Sequence, residues 1–161
     1  AESPAGGMTS LGIHAIDMYV NLFGRMTSVQ AVSRRVAMPY DIDDSTTILM
    51  DFENGQSGYL GSVAATGTLW QVRAFGNKGW GNIFAHDQFT AQLTDGSFIE
   101  ESWDGYPYPG MPTIKAEMEA FAADCEGGAP FPATPDQILH ATAVLEAVIT
   151  SAETGTRVTL G

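Results

Sequence analysis

The sequence predicts an α+β fold: a large, mainly antiparallel β-sheet with helices packed on one face. Three observations carry this. Helical apolar spacing occupies both ends of the chain, and period-two alternation fills the middle. Asn54-Gly55 and Asp95-Gly96 stand between strand-like runs, where a hairpin turn needs residues that tolerate positive φ. Hairpins in sequence give antiparallel pairing, and segregated helices cover one sheet face.

The first helix runs from Met8 to Phe23, interrupted by no Pro and only by Gly12, with Gly24 as its stop. Thr46, Ile48, Met50 and Phe52 alternate with more polar neighbours, as a half-buried strand requires. After Asn54-Gly55 the runs 56–66 and 70–75 are strand-like, and Asp95-Gly96 joins 89–93 to 97–102. Beyond the loop 105–110, Ile114, Met118, Phe121, Ala122 and Cys125 share one helical face that ends at Gly127-Gly128. The last helix has the full start signal: Thr134 as cap, Pro135 in the first position and Gln137 to close a capping box. Ile138, Leu145, Val148, Ile149 and Ala152 form its predicted buried stripe, Gly155 ends it, and 157–160 supplies a short strand for the sheet.

One domain spanning 1–161 is the expectation, because 161 residues with 44% apolar content bury one core and leave little for a second. Seven basic residues against nineteen acidic ones, a formal charge of −12, exclude nucleic-acid and anionic-membrane partners unless the cations cluster. Only Arg34 and Arg35 are adjacent. Cys125 is the sole cysteine, so no intrachain disulfide forms and a reducing cytoplasm suits the chain. No apolar run reaches membrane-spanning length, and the opening residues do not resemble a signal peptide.

Chemistry is concentrated on the first helix. Spacings of four, three and four return Ser10, His14, Asp17 and Asn21 to one narrow sector of an otherwise apolar rod. A carboxylate one turn from an imidazole can orient it or hold its proton, which a relay to a substrate hydroxyl needs. The same stripe is equally the wet side of an amphipathic helix, and geometry alone favours that plainer reading.

The segment Gly6-Gly7-Met8-Thr9-Ser10-Leu11-Gly12-Ile13-His14-Ala15-Ile16-Asp17 resembles the start of the C-terminal domain of the Gfo/Idh/MocA oxidoreductases. Asp43-Asp44-Ser45-Thr46 followed by Phe52-Glu53-Asn54-Gly55 resembles that family's paired strands, and 72–79, ending Phe75-Gly76-Asn77-Lys78-Gly79, its strand and turn. Lys115-Ala116-Glu117 through Phe121, then Gly128-Ala129-Pro130, Thr134-Pro135 and Ser151-Ala152-Glu153-Thr154-Gly155, are similar to its closing helices. Four pieces in the family's order span nearly the whole chain.

The resemblance implies a substrate-side domain of a sugar or polyol dehydrogenase. It implies NAD or NADP bound by an N-terminal Rossmann domain absent from these residues, and homo-oligomer contacts through the sheet face. His14 matches the histidine of the family's Asp-x-x-x-His, while Ser10 stands at the aspartate position and Asp17 is left to orient the ring. A hydroxyl near neutral pH neither accepts a proton nor carries charge, so Ser10 weakens the relay.

No Gly-x-Gly-x-x-Gly follows a strand into a helix, and Gly76-Asn77-Lys78-Gly79 reads as a turn rather than a phosphate cradle. Activity is therefore not expected from these residues alone. Trp70, Trp103, Tyr106, Tyr108 and Arg73 are candidate substrate contacts, since aromatic faces stack on sugar rings and a guanidinium, of Arg73 or of Arg34, holds an acidic group; Trp80 fits a core or a subunit interface. No metal is assigned: adjacent His86-Asp87 point opposite ways on a strand, and His140 fits a packed position. Cys125, on an apolar face, reads as core rather than nucleophile. The alternative to an enzyme fragment is a non-catalytic binding or oligomerisation module of the same fold, which Ser10 favours.

Overall fold

The computed structural model describes residues 4–85, 87–103 and 111–161. It consists of two compact units, one built from 1–66 with 133–161 and the other from 67–132. The α+β class and the antiparallel pairing are as the sequence predicts. The strands, however, divide into two four-stranded sheets rather than forming one large one.

In the first unit a single π-helical turn, Met8–Gly12, runs into α1, Ile13–Phe23. Three strands follow: β1 (Met26–Arg34), β2 (Ser45–Phe52) and β3 (Ser57–Val63). In the second unit are β4 (Gln71–Gly76), β5 (Gly79–Phe84), β6 (Gln88–Leu93), β7 (Phe98–Ser102) and α2 (Met111–Cys125). The chain then adds α3 (Pro135–Thr154) and β8 (Val158–Thr159) to the first unit. Two strands are absent from the sequence reading. β1 lacks clean alternation, because Ser28 and Val29 are both buried, and β5 is rich in glycine at Gly79 and Gly81.

The first sheet has the order β3-β2-β1-β8, all antiparallel. Ile48, Met50 and Phe52 of β2 and Val29 and Ala31 of β1 turn inward, where Ile16 and Val20 of α1 and Val144 and Val148 of α3 complete the core. The capping box forms as the sequence predicts: Gln137 N–H donates to Thr134 Oγ1 at 3.3 Å, and Thr134 N–H donates to Gln137 Oε1 at 2.9 Å. Of the predicted α3 stripe, Val148 is buried and Leu145, Ile149 and Ala152 pack partly buried against the core. His140, Ala141, Val144, Ala147, Val148 and Ser151 are buried, whereas Ile138 is 46% exposed. Small Ala141 and Ala147 let the helix lie close to the core, and weighting the periodicity by side-chain size misses that.

The two polar members of this stripe have defined tasks. β8 pairs with β1 only at Ser28 and Val29, so backbone donors on either side need other partners. Met26 N–H donates to His140 Nε2 at 3.0 Å, and Ala31 N–H donates to Ser151 Oγ at 2.9 Å. Ser151 Oγ in turn donates a hydrogen bond to the Thr156 carbonyl, fastening the end of α3 to the turn that leads into β8. A buried N–H left without a partner costs about 1–3 kcal/mol, so these two side chains are structural requirements.

The second sheet is a meander, β4-β5-β6-β7. Val72 and Ala91 are buried on one face. The expected apolar face of α2 exists, but Ile114, Met118 and Phe121 are exposed, with Phe121 meeting the Phe131 ring edge-on. Cys125 is likewise exposed, which corrects its reading as a core residue. Apolar spacing specifies a helix face, and whether anything covers it depends on tertiary packing. Among the described residues no helix is long and apolar enough to cross a membrane.

His140 makes the first unit sensitive to acid. Burial, then the nearby Arg25 guanidinium, hold its pKa below 6.5, outweighing Asp136 and Glu53, which raise it. Its Nε2 must also stay unprotonated to accept the Met26 N–H. A histidine with a folded pKa below its unfolded one contributes stability above the unfolded pKa and loses it as pH falls through the folded value. In urea titrations from pH 8 to pH 5, the stability of the wild type relative to His140→Gln is therefore expected to decline below about pH 6.5. A difference independent of pH would contradict this role.

Candidate functional site

The polar seam of the first helix is where the structure brings sequence-predicted site residues together. Ser10, His14, Asp17 and Asn21 are all exposed along one side. The opposite side is pinned. Ile16 and Val20 are buried in the core, and the Tyr19, Phe23 and Phe52 rings form a chain with centroids 5.9 and 5.7 Å apart. Tyr19 also donates its hydroxyl to the Tyr59 carbonyl at 3.2 Å, and its partial burial raises the phenol pKa. These contacts fix the rotation of α1 about its axis, and so fix the direction of the seam.

Ser10 lies in the π turn and not in regular α-helix, a difference from the continuous helix expected over 8–23. Gly12 allows that turn to close on Met8: a Cβ there would sit 2.0 Å from Met8 Sδ, and Met8 is fully buried. Single π turns within helices alter the spacing of side chains on a face, and they occur often at functional sites. Ser10 Oγ makes a long hydrogen bond, 3.4 Å, to the Gly7 carbonyl. Among the described residues no hydrogen bond or ion pair joins His14 to Asp17 or to Ser10. His14 is an exposed imidazole, and among the described residues neither of its nitrogens is hydrogen-bonded.

Two apolar side chains border the seam. Leu11, three residues before His14, is 71% exposed, and Leu22 is 54% exposed. A second constraint comes from Asp44, which sequence reasoning left without a role. Its buried carboxylate accepts the N–H groups of Val36, Ala37 and Met38 at 3.0, 2.7 and 2.6 Å, which hold its pKa below the usual carboxylate range, Met38 contributing most. That cage sets the conformation of the loop between β1 and β2, where Val36 and Tyr40 are exposed. A carboxylate ten residues after the end of β1 and one before the start of β2 gives no motif that sequence alone would flag.

The other candidates belong to the second unit. Trp70 precedes β4, and its carbonyl accepts the Ala85 N–H at 3.0 Å. Trp103 follows β7, with its N–H on the Asp87 carbonyl at 2.9 Å and its side chain exposed. Arg73 is exposed in the middle of β4, its guanidinium 5.7 Å from the Trp80 ring centroid, a cation–π arrangement. Tyr106, Tyr108 and His86 lie outside the described residues. Gly76 to Gly79 is a hairpin turn between β4 and β5, and a Cβ on Gly79 would lie 2.1 Å from the Gln92 carbonyl oxygen. The glycine serves strand packing, and its turn does not open a helix as a phosphate cradle does.

A family model described as the GFO/IDH/MocA C-terminal domain matches residues 1–81. A comparison with curated protein sequences finds no match. Among solved structures, a putative NADPH-dependent oxidoreductase from Desulfitobacterium hafniense is similar with a TM-score of 0.82 at 19% identity, covering 98% of this chain and 49% of that one. The aldose-aldose oxidoreductase of Caulobacter crescentus, complexed with glycerol, gives 0.76 at 22% identity, over 96% of this chain and 48% of its own. The WlbA dehydrogenase of Bordetella pertussis, complexed with NADH and UDP-GlcNAcA, gives 0.73 at 17% identity, over 97% and 46%. The chain thus spans about half the length of these proteins. At such identities the likeness is one of fold.

The seam's exposure carries a thermodynamic expectation. Side chains without packing or hydrogen bonds contribute little to folding, so His14→Ala and Asp17→Asn should each change unfolding free energy by no more than about 0.5 kcal/mol. A loss of several times that in denaturant titrations would mean that the seam is part of the core and not a site.

Proposed function

Because the chain belongs to the GFO/IDH/MocA C-terminal domain family, we propose that it is the substrate-side domain of an NAD(P)-dependent oxidoreductase. The substrate is a secondary alcohol of a sugar, polyol or related compound. The observation that carries this reading is the outward-facing seam: His14 and Asp17 on a rotationally fixed helix, bordered by uncovered Leu11 and Leu22. NAD or NADP is assigned to a separate Rossmann domain, as the family resemblance implies, and no step is assigned to the cofactor on this chain.

The part left to these residues is the proton. An imidazole within hydrogen-bond reach of a substrate hydroxyl takes its proton as the alcohol is oxidised, or returns it in the reverse direction. Asp17, one turn further along the same face, is proposed to orient the imidazole. Ser10 orients the hydroxyl by hydrogen bonding and carries no charge. Trp70 and Trp103 are proposed to line the substrate cleft through ring stacking. Homo-oligomers form through an open sheet face, and the reducing cytoplasm is the compartment that one unpaired cysteine suits.

A second reading is a non-catalytic binding or assembly module, and the specific observation in its favour is Ser10 where a carboxylate is expected. The two differ in what His14 does. The chain alone is expected to show no turnover of NAD(P)H with polyols or aldoses. Joined to an upstream nucleotide domain, it is expected to turn over, with His14→Ala lowering kcat by about 10²–10⁴-fold, the usual worth of general acid–base catalysis, and Ser10→Asp restoring or raising it. Turnover unaffected by His14→Ala would overturn the catalytic assignment of His14, and no turnover in the joined protein would favour the module reading.

A further inference from the structure

The chain enters the π turn through two residues in a conformation that side chains disfavour. Ala5 has φ 56° and Gly6 φ 53°, so both lie in the left-handed region, which crowds the Cβ of Ala5 against the following carbonyl. A non-glycine residue stays there only when its surroundings leave no alternative. Those surroundings come from the first sheet. The Thr46 hydroxyl, buried near the start of β2, donates to the Ala5 carbonyl at 3.1 Å. A hydroxyl has one proton to give, so Ser33 Oγ, 2.8 Å away on β1, donates to Thr46 Oγ1 in turn. Gly6 lies against the Asp43 carbonyl, where a Cβ would come within 1.8 Å of the oxygen. A Cβ on Gly7 would sit 3.0 Å from Ser62 Oγ of β3.

The effect reaches the seam in two steps. The Ala5 and Gly6 carbonyls accept the N–H groups of Met8 and Thr9 at 3.0 and 3.2 Å, which starts the turn, and the Gly7 carbonyl accepts the Ser10 hydroxyl at 3.4 Å. Ser10 therefore takes its direction from the segment that the sheet holds. Thr46 itself is 2% exposed and meets no incoming group, so it acts on the seam only through Ala5.

We propose that Thr46 is a positioning residue for the seam: through the Ala5 carbonyl, its hydroxyl fixes the left-handed turn that aims Ser10 alongside His14. The proposal rests on the functional reading given above and adds to it a buried residue outside the first helix. Without the hydroxyl, Ala5 is free to relax toward right-handed backbone, and the Gly7 carbonyl moves with it. A shift of about 1 Å in a working group can cost about 10²-fold in rate, so a small relaxation suffices.

Amide hydrogen exchange of the whole chain, read residue by residue by NMR, tests the latch without turnover. Thr46→Val removes the hydroxyl at nearly constant shape and is expected to speed exchange at Met8 and Thr9 by about tenfold or more, with Ile48 and Val144 as slow as in the wild type. Thr46→Ser, which keeps the hydroxyl, is expected to keep the slow exchange. Gly6→Ala, which sets a Cβ against the Asp43 carbonyl, is expected to loosen the same two amides and carries the test if Thr46→Val fails to fold. In the protein joined to a nucleotide domain, with the polyol or aldose it turns over, Thr46→Val is expected to lower kcat about tenfold or more, and Thr46→Ser to stay within about twofold of wild type. Exchange at Met8 and Thr9 that is unchanged, or that rises equally at Ile48 and Val144, would overturn this inference and spare His14. So would a kcat that His14→Ala lowers and Thr46→Val does not. A joined protein that shows no turnover, or whose turnover ignores His14→Ala, would overturn the functional reading and this inference together.

Discussion

Two side chains of α3 hold the first unit to one arrangement. β1 lies between β2 and β8 and against α3, yet β8 pairs with it over only two residues, leaving backbone donors at Met26 and Ala31 without strand partners. His140 and Ser151, eleven residues apart and so close to three helical turns, meet those two donors. Helix and strand are thereby locked in register by directional bonds, while the apolar contacts of Val144 and Val148 supply most of the burial. Dispersion and the hydrophobic effect tolerate sliding by a fraction of a turn. Two buried hydrogen bonds at fixed spacing do not.

The rest of the unit follows from that register. With α3 fixed on β1, α1 has one groove left in which Ile16 and Val20 can be buried, and the Tyr19–Phe23–Phe52 ring contacts choose its rotation. The seam of Ser10, His14, Asp17 and Asn21 is then turned outward as a consequence, not as an independent feature. Asp44 does comparable work at the other end of β1, where one carboxylate shapes a loop by collecting three backbone N–H groups. Polar groups at a few buried positions thus decide where the exposed ones point.

Much of this was legible in the sequence wherever the signal is local. The capping box at Thr134, the hairpin residues Asn54-Gly55 and Asp95-Gly96, and the seam itself all arise from short-range stereochemistry, which residue spacing encodes directly. β1 escaped because burial on both sides of Ser28 and Val29 erases period-two alternation. The π turn escaped because it depends on Gly12 admitting the Met8 side chain, a contact in three dimensions. Ile138 and Cys125 were assigned to buried faces because apolar spacing shows that a face exists without showing what lies against it. His140 read correctly as a packed histidine, but its partner, a backbone N–H 114 residues away in sequence, has no local trace. The candidate site divides in the same way: the helix face was legible, whereas Trp70, Arg73 and Trp103 occupy a separate unit and no periodicity links them to His14.

The central claim is that the seam around His14 is a surface built to work against a nucleotide-binding domain. Site-resolved imidazole modification, read by mass spectrometry, tests it most directly, because it reports the environment of each histidine independently of turnover. In the chain alone His14 is expected to react readily and His140, buried against Met26, to react slowly. Once the chain is joined to a nucleotide domain with dinucleotide and a polyol present, His14 is expected to become protected while His140 is unchanged. Equal reactivity of His14 in both states would contradict the account.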